Sequence, residues 1–197
     1  MGDKLRGIRI GYAVTGSFCT FEKSFKQAQI LRDMGAELVP VMSECAFSTS
    51  TRFGSAGENV RKLEEICGKK VIASISSAEP IGPKNMTDIM VVAPCTSNTA
   101  SKLANSITDS AVTMAVKSHL RGGKPVLLAI ASNDSLSGSA KNIGELFNRK
   151  HYYFVPMVQD DCEKKPYSLV SDFSLIPQAV ESALDGIQLR PLICTNG

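Results

Sequence analysis

The chain has 197 residues, 43% of them hydrophobic and 21% charged, with a formal net charge of +3. That length and balance suit one domain, residues 1–197, with a sizeable core. Scattered basic residues and few aromatics argue against a nucleic-acid surface, and no apolar run approaches the ~20 residues of a membrane helix.

The amino terminus, Met1 to Arg6, lacks the Ser or Thr that a myristoylation signal needs. Ile8–Val14 predicts a first strand, and Thr15-Gly16-Ser17 a turn that lets backbone approach whatever lies above it. A helix is expected from about Thr20 to Met34, with Phe21, Phe25, Ala28 and Leu31 on one face, stopped by Gly35. Glu37–Met42 predicts a second strand, with Pro40 placing it at an edge or a bulge, and Ser43 closes it. Residues 46–57 (AFSTSTRFGSAG) read as a functional or mobile loop, Glu58–Cys67 as a short helix ending at Gly68, and Val71–Ser74 as a short strand. Pro80, Gly82 and Pro83 mark a connecting loop.

Ile89–Ala93 is a continuous apolar run of strand length. Pro94 is expected to stop it, having no N–H for the ladder. The polar turn Cys95-Thr-Ser-Asn-Thr99 follows, then a helix from Ala100 on the spacing of Ala100, Leu103, Ala104 and Ile107. A break near Asp109 divides it from apolar positions running to Leu120. Pro125–Ala131 predicts another buried strand, Ser132-Asn133-Asp134 a polar turn, Ala140–Arg149 a helix and Tyr152–Val158 a last strand. Residues 159–168 look irregular, and Ile176–Leu184 predicts a final helix stopped by Gly186.

Strands alternating with helices, and apolar without alternation, argue for a parallel sheet covered on both faces: a three-layer α/β fold. Ligands of such folds sit beyond the carboxyl ends of the strands, where the turns at Thr15–Ser17, Ser43, Pro94–Thr99 and Ser132–Asp134 would gather. Gly11 and Gly16 have P-loop spacing, but Ser17 and Phe18 follow where a lysine and a hydroxyl residue are needed, so an NTPase reading fails. No G-x-G-x-x-G is present; Glu44 is a weak echo of the ribose-binding acid. Hydroxyl and N–H donors at helix starts suit a dianionic monophosphate. The same Ser, Thr and Asn residues also suit plain helix capping, and the two readings stand side by side.

Cys19, Cys45, Cys67, Cys95, Cys162 and Cys194 contain no C-x-x-C pair, and only His119 and His151 could join them, so a metal site is not expected. Without a signal peptide, reduced thiols in a cytoplasm are expected.

The turn Gly16-Ser17, Ser43 after the second strand, and Pro94-Cys-Thr-Ser-Asn-Thr99 before a helix leading to Ile107-Thr-Asp109 resemble the flavoprotein family of FMN-binding cysteine decarboxylases, whose PASANT motif the last stretch matches. The resemblance implies a Rossmann- or flavodoxin-like fold, FMN and trimer-based homo-oligomers. Two departures weigh against decarboxylation: no His precedes His119, and the family's P-x-M-N-x-x-M-W clamp is reduced to Asn133. A nearer resemblance is to the B-subunit family of the dipicolinate synthases of spore-forming bacteria. It is carried by GYAVTGSFCTF (11–21), STSTRFG (48–54), LLAIASNDSLSGSAKNIG (127–144) and VPMVQDDCEKKPYSLVSD (155–172). It implies a part in oxidising dihydrodipicolinate to dipicolinate in the mother-cell cytoplasm during spore formation. The partner would be an A subunit that resembles NAD(P)-dependent dehydrogenases and would hold the NAD(P).

The cofactor candidates are then Thr15, Gly16, Ser17, Ser43, Pro94, Thr96, Ser97, Asn98 and Thr99, with Asn133 near the flavin ring or the substrate. Each has a plainer alternative as a βα turn, a cap or an Asx turn. Arg52 could pair with a substrate carboxylate or be a solvated loop charge. Cys19 and Cys95 fall at the ligand edge but read as inert, His151 as strand-end packing, and Lys164, Lys165 and Tyr167 as partner contacts or a polar loop. No catalytic acid or base stands out. The function classes left are a flavin-dependent component of an oxidoreductase, a non-catalytic partner of the A subunit, and, weakest, a residual decarboxylase.

Overall fold

The computed structural model describes residues 5–194; positions 1–4, on which the lipidation reading partly rests, lie outside them. Seven strands form one sheet: β1 (Arg9–Val14), β2 (Glu37–Met42), β3 (Ile89–Cys95), β4 (Val126–Ser132), β5 (Tyr152–Phe154), β6 (Met157–Val158) and β7 (Leu169–Ser171). The helices are α1 (Phe21–Asp33), α2 (Glu44–Ser48), α3 (Ala56–Cys67), α4 (Ile75–Ala78), α5 (Ser97–Ala104), α6 (Ala111–Leu120), α7 (Ala140–Phe147) and α8 (Ile176–Leu184). The sheet order is β2-β1-β3-β4-β7-β6, with β5 also on β4. The pairs β1·β2, β1·β3, β3·β4 and β4·β5 are parallel; β4·β7 and β6·β7 are antiparallel. This is the flavodoxin-like α/β arrangement, with the chain reversing direction of travel between β1 and β3.

The central strands are buried on both faces, which is why their sequences carry no polar alternation. Ile89, Val91 and Ala93 of β3 and Leu127, Ala129 and Ala131 of β4 join one core with α1, α3 and α8. Met90, Val92, Val126, Leu128 and Ile130 face the other way, into a core with α5, α6 and α7. Each fully buried Val or Leu here contributes on the order of 2 kcal/mol.

Several expectations are corrected. Pro94 does not stop the strand: β3 runs through it to Cys95. The register shifts between Val92 and Cys95, so no regular ladder N–H is required of Pro94, and its carbonyl is used by Thr15 instead. The following helix starts at Ser97 rather than Ala100, because Thr96 caps it. The 46–57 loop contains most of α2 and the start of α3, whose Ser55–Glu58 capping box sets its first turn two residues before Glu58. Val71–Ser74 is reduced to one parallel bridge, Val41↔Ile72. Tyr152–Val158 divides at Val155-Pro156: β5 continues along β4, and β6 turns to pair with β7, a strand not anticipated. Leu184 and Asp109 fall as expected, at the end of α8 and in the break between α5 and α6.

The edges at β2 and β6 are each covered by a passing segment. On β2, Ile72 donates to the Pro40 carbonyl and accepts from Met42, each at 2.9 Å. On β6, Met157 donates to Leu192 at 2.9 Å and accepts from Cys194 at 2.8 Å.

Candidate functional site

The carboxyl ends of β1, β2 and β3 open into a cleft of about 430 Å³. Of the candidate cofactor residues, it gathers Thr15, Gly16, Ser43, Thr96, Asn98 and Thr99. The buckle is Thr15, only 1% exposed. Its hydroxyl donates to the Pro94 carbonyl at 2.8 Å and accepts from the Thr96 N–H at 3.0 Å. Thr15 therefore spends its hydroxyl on joining the β1 turn to the β3 turn, while its backbone lines the opening.

Thr96 is the N-cap of α5. Its Oγ1 accepts from the Thr99 N–H at 3.3 Å and bonds the Thr99 hydroxyl at 3.1 Å. The N–H groups of Ser97 and Asn98, in the first turn, have no intrahelical carbonyl to meet, and the helix dipole adds partial positive charge there. Ser43 likewise caps α2 by accepting from Ala46 N at 3.3 Å. Capping is thus present at both turns. Gly16 faces Cys45: a Cβ built at Gly16 would sit 3.1 Å from the Cys45 sulfur, so the bare backbone is what lets the two turns approach.

Lys102, one helical turn beyond Asn98, brings an ammonium to the same cleft and pairs with Asp109 at 2.9 Å. Sequence reading touches Asp109 only within the Ile107-Thr-Asp109 resemblance and Glu44 only as an echo of a ribose-binding acid, and it does not single out Lys102, Cys45 or Ser110 for the cleft; the i, i+4 spacing of Asn98 and Lys102 is the available signal.

The remaining candidates fall outside the lining. Pro94 is buried in β3. Ser17 turns back, with its N–H on the Thr15 carbonyl at 2.7 Å. Ser97 points to the β4 turn, where the hydroxyl of Ser132, and after it those of Ser139 and Ser97, hold the Asp134 carboxyl below the usual range. Asn133 is exposed in that turn, next to Asp134 rather than in the cleft. Arg52 lies over the ring of its neighbour Phe53 at 4.9 Å and does not line the cleft.

Burial pushes the Cys95 thiol up to about 12, which fits its inert reading; a thiolate is the reactive form. His119 is 2% exposed. Its Nδ1 meets the Thr87 hydroxyl at 2.8 Å and its Nε2 the Pro125 carbonyl at 2.9 Å. Burial lowers its pKa to about 4. It is a neutral core residue, with Nε2–H donating and Nδ1 accepting. His151 precedes β5 with a φ of 69° and does not line the cleft.

The flavoprotein family profile matches residues 1–173. The chain belongs to the flavoprotein family. Within it, the chain is 46% identical over 194 residues to the B subunit of dipicolinate synthase from Bacillus subtilis (strain 168), covering 98% of this chain and 97% of the relative. It superposes on the B subunit of dipicolinate synthase from Bacillus halodurans C with a TM-score of 0.89, at 39% identity and 98% coverage of each chain. The FMN-dependent cysteine decarboxylase SpaF shares the fold, with a TM-score of 0.70 at 21% identity, over 92% of this chain and 98% of its own. No helix among the described residues of this flavoprotein is long and apolar enough to cross a membrane.

Proposed function

We propose that this flavoprotein takes part in the oxidation of dihydrodipicolinate to dipicolinate as the B subunit of a two-component synthase, with FMN in the cleft. The supporting observation is the cleft itself: two capped helix starts, the bare backbone of Gly16 and the ammonium of Lys102 converge at the switch point of the sheet. That donor set fits a monophosphate, with Lys102 also offsetting the Glu44 and Asp109 carboxylates that line the same cleft. FMN, when bound, supplies the redox chemistry. Gly16, Ser43, Thr96 and the Asn98 N–H would hold its phosphate, Lys102 would balance its charge, and Thr15 would keep the two turns in register. Ser17, Ser97, Asn133 and Arg52 are left with roles at the rim, where the substrate would approach. The chain 1–197 would act as one domain in a trimer-based homo-oligomer, in the mother-cell cytoplasm, together with an A subunit carrying NAD(P).

The test is the absorbance spectrum of the pure protein before and after FMN is added, with any released ligand identified. Flavin bands that weaken in a Ser43→Ala plus Thr96→Ala variant are expected. A colourless protein indifferent to FMN overturns the cofactor reading.

A second reading, a non-catalytic partner that stabilises or regulates the A subunit, is favoured by one observation. Neither histidine lines the cleft, and His119 is committed to the core. Full activity and normal kinetics of the isolated A subunit would remove any catalytic need for this chain. Activity that depends on this chain yet survives loss of flavin would favour this second reading.

A further inference from the structure

Behind α5 lies a second cavity, of about 240 Å³, walled by the end of α5, the 105–110 connection and α6, with Arg149 and Tyr152 at its far side. Lys102 faces the first cleft, while its chain neighbour Leu103 faces this one. The apolar wall here is Leu103, Ile107, Val116 and Leu120, with the polar Ser106, Thr108 and Thr113 beside it. Two cationic side chains, Lys117 and Arg149, line it, and no carboxylate does.

The two cations differ. Arg149 is tied down: it donates to the Leu103 and Ala104 carbonyls at the end of α5, to Ser106, and to Glu145 at 3.2 Å. It fixes the wall and satisfies carbonyls that the helix end leaves open. Lys117, exposed on the surface of α6 at the mouth of the cavity, has no acidic partner among the described residues. Tyr152 is part of the same wall, and its phenol, pushed up to about 12 mainly by burial, stays a hydroxyl at neutral pH and can donate.

The cavity's volume of about 240 Å³ lies just below the ~300–1,000 Å³ of typical small-molecule pockets. It is a space for one ring or one branched chain with a small head group, well below the size of a dinucleotide. Apolar walls with a lone ammonium, a fixed guanidinium and a phenol at the edge discriminate by charge and by shape together. A neutral ring would gain nothing from the Lys117 ammonium, and a small inorganic anion would leave the apolar walls wet.

We propose that this cavity is a second ligand site, for a small amphipathic carboxylate consisting of a single ring or branched chain bearing one carboxylate, with Lys117 as its charge partner. The site is independent of the flavin reading.

The test uses the full chain with methyl-labelled Ile, Leu and Val, titrated with benzoate, with benzamide as the neutral match and acetate as the ringless anion. Benzoate is expected to give saturable shifts centred on the Leu103, Ile107 and Val116 methyls, and benzamide and acetate much weaker ones. Lys117→Met keeps the stem and removes the charge; benzoate should bind roughly tenfold more weakly to it, with benzamide unchanged. Ile107 is 47% exposed at the mouth, so Ile107→Trp should close the cavity without disturbing the core. No saturable shift up to ~20 mM benzoate, far weaker than a millimolar site, overturns the proposal. So does benzoate binding that neither variant changes, or equal binding of benzamide.

Discussion

Thr96→Ala tests the two roles that the start of α5 can play. In the free protein Thr96 is a cap: its Oγ1 accepts the Thr99 N–H at 3.3 Å. Removing a Thr cap costs about 1 kcal/mol, and for a chain of this length that lowers the melting temperature by ~2–4 °C. If the same hydroxyl also meets a phosphate, a second loss appears only when ligand is present. FMN at a hundredfold excess over Kd stabilises the wild type by about 2.7 kcal/mol. Loss of one charge-assisted bond, worth ~1.5–2 kcal/mol, leaves about 1 kcal/mol of that ligand stabilisation at the same concentration. Thermal unfolding with and without FMN, with Thr96→Ser as the hydroxyl-retaining control, separates the terms. A Thr96→Ala variant that melts lower when free but keeps the full FMN-dependent rise would refute the phosphate role and leave Thr96 as a cap alone.

Lys102→Met is expected to weaken FMN binding ~3–10-fold and to flatten its dependence on salt, measured by flavin fluorescence at several ionic strengths; an unchanged salt slope would remove Lys102 from the site. His119 has a folded pKa near 4 against 6.5 unfolded, so the folded state binds fewer protons. Its contribution is fully present above pH 6.5 and is lost as pH falls toward 4, by about 3 kcal/mol. His119→Gln should be less stable at pH 7 yet lose less stability over that window in urea titrations. Asp88 is held at about 2, chiefly by the Arg9 guanidinium hydrogen-bonded to it, with Lys124 adding to the effect. Its stabilisation is present above pH ~4 and lost as pH falls through 2; with both partners partly exposed it amounts to ~1 kcal/mol. Asp88→Asn should cost that much at pH 7 and progressively less as pH falls through 2, and a constant difference across pH would count against the ion pair.

The layered fold was legible because β3 and β4 are apolar without interruption and the starts of α2 to α6 carry Ser or Thr caps. What misled was local chemistry overruled by context. Pro94 reads as a stop, but a register shift next to it removes the demand for its N–H. Pro156 hides within one apolar run, although it marks where the chain leaves β4 for β6. The candidate site was legible as turns after strands, since their placement follows from topology. Which side chains face the cleft was not: Ser17 and Ser97 turn away because nearer partners claim them, and Lys102 entered through a helical spacing that capping logic ignores.

The two covered edges of the sheet have a consequence for how copies of this chain can meet. An open edge strand invites another strand to add to it, which leads to fibres and mispaired dimers. Here Ile72 occupies the hydrogen-bonding groups of β2 beside Pro40, which has no N–H to offer, and Leu192 and Cys194 occupy those of β6. Continuous strand addition from one copy to the next is thereby disfavoured at these two edges. Any contact between copies is left to side-chain surfaces, whose shape and charge can specify a finite number of partners.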